Sequence, residues 1–255
     1  MAYTISLANQ KGGVGKTTSA VNCAAAVAAL DKRVLLVDLD PQGNATSGVG
    51  ISRKNVKVSS YDVMIGRNGA KDAIIDTGFK NLHVMPSQMS LAGAEIELVD
   101  MDNRSVILKE ALSEISDDYD YIFIDCPPSL GILSINALAA STGVIIPMQC
   151  EFYALEGLSQ LMLSIKNVKK RYNPNLEITG ILITMFNGRL NLSLQVLDEL
   201  KKYYADKLFS TGVVRNVKLS EAPSYGEPII YYDKHSKGAQ AYTDIAKEII
   251  ERTNF

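Results

Sequence analysis

The segment Asn9-Gln10-Lys11-Gly12-Gly13-Val14-Gly15-Lys16-Thr17-Thr18 joins an apolar, β-branched run at residues 3–8 to an alanine-rich helical pattern at residues 16–30. Glycines in a strand-to-helix loop let the backbone curl so that successive N–H groups converge on one anion. The start of the helix adds its positive end. In that setting Lys16 is expected to reach the β- and γ-phosphates of a bound nucleotide, and the Thr17 hydroxyl to bind Mg2+. The strict phosphate-loop pattern has glycine where Gln10 stands. Here Gly12 and Gly13 supply the flexibility, and an additional lysine, Lys11, lies inside the loop. The expected ATP-binding set is Lys11, Gly12, Gly13, Val14, Gly15, Lys16, Thr17 and Thr18.

Beyond this loop, short apolar runs recur at residues 33–38, 81–86, 121–125, 143–148, 178–185 and 208–214. Helical patterns separate several of them, at residues 104–115, 154–171, 192–204 and 238–252. The strand candidates are nearly continuous in apolar residues rather than alternating, as strands covered on both faces are. Strands separated by helices imply right-handed βαβ units. The expected fold is α/β, a mainly parallel twisted sheet with helices on both faces, the P-loop NTPase fold. Ligands in such sheets bind beyond the carboxyl ends of the strands, so the loops after Ala8, Asp38, Asp125, Met148 and Met185 should surround one site. Residues 50–80 read as loop, with a short helix near residues 61–65.

With 47% hydrophobic and 21% charged residues the chain can bury a large core, and disorder as the main state is excluded. Its 255 residues suit a single domain spanning 1–255. A net charge of −2 gives no global pull toward polyanions, so any nucleic-acid contact must come from a local basic cluster. Cys23, Cys126 and Cys150 are odd in number and lack CxxC spacing, which indicates neither a disulfide framework nor a zinc site. The N-terminus has no basic n-region and turns polar at Asn9, unlike a signal peptide. No apolar stretch approaches the roughly 18 residues of a spanning helix. The expected location is the cytoplasm.

Two further blocks carry acids at strand ends. Val37-Asp38-Leu39-Asp40-Pro41-Gln42-Gly43-Asn44-Ala45-Thr46 places two carboxylates beside a prospective triphosphate. Like charges repel there, so the pair makes sense beside Mg2+ and an attacking water; the alternative is an Asp-Pro-Gln-Gly turn with solvated acids. Asp38 is the expected indirect Mg2+ or lysine partner, and Asp40 the residue that orients or polarises the water. Tyr121-Ile122-Phe123-Ile124-Asp125-Cys126-Pro127-Pro128-Ser129 resembles a Walker B strand running into a switch II segment. Asp125 would hold Mg2+ through water, and the paired prolines would stiffen a loop that reports on the γ-phosphate.

Lys-Gly-Gly-Val-Gly-Lys-Thr-Thr, residues 11–18, resembles the deviant Walker A motif of the ParA/MinD superfamily, in which a lysine at the Lys11 position is the distinguishing feature. The stretches at residues 92–98, 149–157 and 215–224 also look like ParA, so the resemblance covers essentially the whole chain. It is closest to the chromosomal ParA branch often called Soj, which lacks the N-terminal helix-turn-helix of some plasmid relatives. The resemblance implies a homodimer closed by ATP, with Lys11 acting in trans on the partner's nucleotide and neutralising charge on the transferring phosphoryl group. Lys11, Lys16 and Asp40 are then the catalytic set, and Thr17, Asp38 and Asp125 the metal set. It also implies non-specific binding of double-stranded DNA in the ATP state only, association with the nucleoid, and a ParB-type partner that accelerates slow hydrolysis through a short basic N-terminal peptide.

Phosphate contacts need clustered Lys and Arg and make binding steeply salt-dependent. Lys166, Lys169, Lys170 and Arg171 crowd one helix end, and by family position Arg189, Arg215 and Lys218 are the expected DNA-binding residues. Lys218 stands where relatives often carry arginine, a point charge in place of a bidentate fork. Asn187, Arg215 and Asn216 are the expected adenine contacts. Three other readings share parts of this pattern: a membrane-associated positioning ATPase like MinD, an ATP-driven ligase or iron–sulfur reductase of the same superfamily, and a ParA-like ATPase carrying a different cargo. The C-terminal helical pattern has an ordinary apolar face (Ala241, Ile245, Ile249) and mixed charge, which argues against lipid binding. A reductase would need a second loop cysteine matched to Cys126, and none has the spacing.

Overall fold

A computed structural model of the chain describes residues 1–254. Strands β1 (Tyr3–Leu7), β2 (Val34–Asp38), β3 (Ile75–Asp76), β4 (Leu82–Met85), β5 (Tyr121–Asp125), β6 (Gly143–Met148) and β7 (Glu177–Ile183) form one sheet in the order β3-β4-β2-β5-β1-β6-β7. Only the short edge strand β3 runs antiparallel to its neighbour; every other pairing is parallel. The helices are α1 (Lys16–Ala29), α2 (Asn44–Gly48), α3 (Ser60–Met64), α4 (Leu91–Glu97), α5 (Ile107–Ser113) and α6 (Ile132–Ala140), then α7 (Ala154–Arg171), α8 (Asn191–Tyr204), α9 (Val217–Glu221), α10 (Ile229–Tyr232) and α11 (Lys237–Thr253).

Successive strand residues face opposite sides of the sheet, and both sides are dry. On one side Leu35, Val37, Ile122, Ile124 and Ile146 pack with residues of α5, α6, α7 and α8. On the other, Val34, Leu36, Phe123, Ile145 and Leu182 pack with α1 and α11. This double burial is why the strands lack polar alternation, and each fully buried aliphatic side chain contributes about 1.5–3 kcal/mol. The alanines of α1 let that helix approach the sheet and α11 closely; Ala24, Ala25 and Ala28 are fully buried. Two polar bonds tie the C-terminal segment to it: Asn22 Oδ1 accepts from the Ile229 N–H at 2.7 Å, and Ser19 and Tyr242 share a hydroxyl bond at 3.0 Å.

β1 lies between β5 and β6, and α1 leaves it on one face while α6 packs on the other. The strand order reverses here, and the crevice at the carboxyl end of such a switch point is where α/β sheets bind ligands. The phosphate loop opens into it.

Two expectations require correction. Residues 208–214 do not form a strand; they make only isolated bridges, Ile181 to Leu208 and Phe186 to Val214. The ladder is broken at Ser210, whose N–H donates to Glu248 instead. Arg252 clasps this edge, donating to the carbonyls of Thr179, Lys207 and Leu208 while its guanidinium lies over Phe209. The helix expected at 104–115 is shorter, beginning at Ile107. The Asn136 side chain accepts from Leu108 N–H and donates to the Arg104 carbonyl, so side-chain bonds replace the first helical turn. The short helix expected near 61–65 is α3, and β3 adds an edge in the stretch that read as loop.

Arg252→Met keeps the apolar stem against Phe209 but removes every donor of the clasp. Unfolding in urea should show a loss of about 1–3 kcal/mol; an unchanged midpoint would contradict this role.

Candidate nucleotide site

The loop after β1 has the shape a phosphate requires. Gly13 and Gly15 adopt φ of 74° and 84°, in the left-handed region that glycine tolerates best. A Cβ placed on Gly12 or Gly13 would meet no atom within 4 Å, so space beside the loop is left open. The loop is held from outside by neighbouring strand ends. Asn9 Nδ2 donates to the Pro147 carbonyl at 2.8 Å, Thr184 Oγ1 to the Val14 carbonyl at 2.8 Å, and Gln149 Nε2 to the Gly13 carbonyl at 3.0 Å. These partners come from the ends of β6 and β7, which explains why an isolated glycine-rich turn holds one geometry.

Lys16 is nearly buried and its ammonium donates to the Lys11 carbonyl at 3.1 Å. Burial pulls its pKa below the ordinary lysine range, while Asp125, Cys126 and Asp40 pull it back up. Parallel pairing of β2 with β5 sets Asp38 opposite Asp125. Asp38 is fully buried, yet three donors serve it: Thr46 N–H at 2.8 Å, Thr46 Oγ1 at 2.7 Å and Asp40 N–H at 3.2 Å. Burial still pushes its pKa up to about 6, against the lowering by the Thr46 and Asp40 bonds. Asp40 closes a turn by accepting from Gln42 N–H on Oδ1 at 2.9 Å.

Asp125 is the exception. It is fully buried, and neither carboxylate oxygen has a hydrogen-bond partner. Burial and the neighbouring Asp38 hold its pKa well above the carboxylate range; Thr17 and Lys16 favour its charged form without closing a bond of ordinary geometry. An orphaned buried carboxylate beside a hydroxyl, at the mouth of a phosphate loop, fits a hydrated Mg2+. Among the described residues no cluster of three or more His, Cys, Asp or Glu could hold a metal ion by itself. Mg2+ usually keeps several waters and takes its other ligands from phosphates, so one or two side chains suffice to hold it.

Lys11 is exposed and pairs in the same chain with Glu151. Phe152 and Tyr153 follow, 72% and 68% exposed, their rings edge to face at 5.0 Å. A cavity of about 250 Å3 beside the loop is lined by Gly15, Thr18, Met185, Arg215, Asn216 and Pro223. Arg215 and Asn216 therefore share one cavity wall beside the loop, and the Asn216 side chain also caps α9 by accepting from Lys218 N–H at 2.8 Å. Asn187 does not line this cavity; its side chain accepts from the Arg189 N–H at 3.1 Å and shapes the turn that presents Arg189. The Phe186–Val214 bridge brings the Arg189 and Arg215 loops side by side. Both arginines and Lys218 are exposed; Lys218 pairs with Glu221 at 2.8 Å over the Tyr232 ring.

Sequence reasoning passed over Thr46, Gln149, Glu151 and Thr184, which hold these groups in place. Thr46 had a signal: a buried strand-end aspartate needs nearby donors, and Thr46 closes the same motif.

A protonated Asp125 favours the fold below the ordinary carboxylate range. This contribution is lost as pH rises through the raised native pKa, because the unfolded chain then ionises more easily. At neutral pH and without nucleotide, Asp125→Asn should therefore melt higher than the parent while losing Mg2+-dependent nucleotide binding. A lower melting temperature would contradict the unpartnered state of Asp125.

Comparison with known proteins places this geometry among relatives. The AAA domain family model matches residues 2–178. The sporulation initiation inhibitor protein Soj of Bacillus subtilis (strain 168) is 55% identical over 249 residues, 98% of either chain. The chromosome partitioning protein ParA of Myxococcus xanthus (strain DK1622) is 50% identical over 248 residues, 97% of this chain and 88% of that one. Among solved structures, cobyrinic acid a,c-diamide synthase from Mycobacterium smegmatis, with bound ADP and magnesium, is similar at a TM-score of 0.86 and 35% identity, covering 100% of this chain and 96% of the other.

Proposed function

The chain belongs to the ParA/MinD superfamily of P-loop ATPases, and on that ground we propose that it is an ATP-gated dimerising switch for chromosome or plasmid partitioning. In this proposal residues 1–255 act as one ATPase domain, cytoplasmic and associated with the nucleoid. The observation that carries it is the buried Asp125 carboxylate, without a hydrogen bond of ordinary geometry, beside Thr17 and Lys16 under a glycine loop with open space. Such a site suits a triphosphate with Mg2+ better than any uncharged ligand.

Lys16 and the loop N–H groups bind the phosphates, and Thr17 with Asp125 holds the hydrated metal. Bound Mg2+ would supply neutralising charge at the phosphates. Asp38 sets the position of Thr46 and of the Asp40 turn and acts on the metal only through water. Asp40 orients the attacking water. Gly12 leaves room for close approach of a second subunit, and Lys11 exchanges its exposed pairing with Glu151 for the partner's nucleotide. That exchange is inexpensive, since exposed ion pairs contribute about 0–1 kcal/mol. The exposed Phe152 and Tyr153 on the same side are the residue types that interfaces bury.

DNA contact is assigned to Arg189, Arg215 and Lys218. Their loops leave the ends of the segments that also border the proposed adenine cavity, so nucleotide occupancy and DNA affinity share a wall. A ParB-type protein is the proposed activator.

Relatives named for partitioning are more identical to this chain than the amide synthase, with which it shares the nucleotide platform. The MinD-like alternative is disfavoured because Ala241, Tyr242, Ile245 and Ile249 of α11 are buried against α1 and so unavailable to lipid. Among the described residues no helix is long and apolar enough to cross a membrane.

Asp40→Ala should bind ATP, hydrolyse it at a small fraction of the parental rate, and sediment as a dimer with ATP but as a monomer with ADP. Normal turnover by this variant would remove Asp40 from the water-orienting role, and a monomer in ATP would remove the switch.

A further inference from the structure

The turn that carries Asp40 makes few bonds of its own. Gly43 N–H donates to the Asp40 carbonyl at 2.9 Å and Gln42 N–H to the Asp40 carboxylate at 2.9 Å. The Gln42 carbonyl accepts from the guanidinium Nη1 of Arg53. Gly43 sits at φ 61°, and a Cβ added to it would lie 2.6 Å from Arg53 Cδ and 3.0 Å from the Ser87 carbonyl. The turn is therefore held between the stem of Arg53 and the backbone at Ser87. Glycine at position 43 is what lets them close on it.

Arg53 is in turn anchored. Gln88 Nε2 donates to the Arg53 carbonyl at 2.9 Å and to the Val56 carbonyl at 3.1 Å. The neighbouring Ser87 N–H donates at 2.9 Å to Thr46 Oγ1, the hydroxyl that serves Asp38. Among the described residues no ion pair includes Arg53, so its charge is directed to a carbonyl rather than spent on an acid. It also lines a cavity of about 470 Å3 together with Thr17, Thr18, Asn44 and Ser47. Its side chain thus reaches from the turn toward the start of α1.

We propose that Arg53 is a positioning residue for hydrolysis, clamping the Asp40 turn through the Gln42 carbonyl so that the Asp40 carboxylate stays aimed at the attacking water. This rests on the water-orienting reading of Asp40. Small displacements of a water-orienting group cost rate more than binding, because only the transition state depends on its aim. A lysine at the same position keeps an aliphatic stem beside Gly43 and can still reach one carbonyl, without the planar fork of arginine.

The experiment is single-turnover hydrolysis of prebound ATP by Arg53→Gln and Arg53→Lys, with affinity for a fluorescent ATP analogue and thermal melting measured on the same samples. Arg53→Gln should slow hydrolysis about tenfold or more and leave nucleotide affinity within about twofold. Arg53→Lys should recover most of the rate, and both should melt like the parent. An unchanged rate in Arg53→Gln would overturn the proposal. So would an affinity that falls in step with the rate, since Arg53 would then be a nucleotide contact. Asp40→Ala run alongside separates the two claims: if it turns over normally, the reading of Asp40 fails; if it is inactive while Arg53→Gln is normal, only the clamp fails.

Discussion

Charge burial governs this molecule. The parallel register of β2 and β5 sets Asp38 against Asp125, and the first turn beyond β2 adds Asp40, all within the field of the buried Lys16 ammonium. Removing a carboxylate from water costs several kcal/mol unless it is bonded or paired. The chain meets that cost at Asp38 with both donors of Thr46, and at Asp40 with the turn back to Gln42. At Asp125 no hydrogen bond of ordinary geometry meets it, and the Thr17 hydroxyl and Lys16 charge offset it only in part. The site is therefore one that a cation and a polyphosphate would complete, and in the proposed switch the strain at Asp125 would couple nucleotide to structure.

Coupling outward follows the sheet. The ends of β6 and β7 hold the phosphate loop through Pro147, Gln149 and Thr184, and the same strand ends lead into Glu151 and toward Arg189. In the proposed switch, a ligand that fixes the loop would act through these bonds on the segments that bear the proposed dimer face and the proposed DNA face. On the opposite flank, Ser87 and Gln88 connect the loop after β4 to Thr46 and Arg53. The Asp40 turn is gripped from both its strand and its neighbour.

Much of this was legible in the sequence because the deciding features are local. Gly-Lys-Thr-Thr at the end of a glycine loop between a strand and a helix points to a phosphate, and continuous apolar strands announce a sheet covered on both faces. Six of the seven strand candidates proved to be strands within a few residues. Residues 208–214 misled because their apolar run is real, but the bond that breaks the ladder comes from Glu248 on a distant helix. β3 was invisible because two residues carry no period. Asn187 was expected near the adenine together with Arg215 and Asn216; the cavity that those two line, whose wall depends on how the Phe186 and Val214 segments meet, does not include it. Arg53 and Glu151 act through contacts far along the chain, which no spacing rule reveals.

Binding of the Asp40→Ala protein to random-sequence duplex DNA, with Mg2+–ATP and then Mg2+–ADP across a salt series, bears on the switch as a whole. A nucleotide-gated DNA dimer predicts tight binding with ATP alone, weakening steeply as salt rises because phosphate contacts release counterions. Equal binding in both nucleotides, or none in either, would contradict the gate and leave the protein an ATPase whose output lies elsewhere.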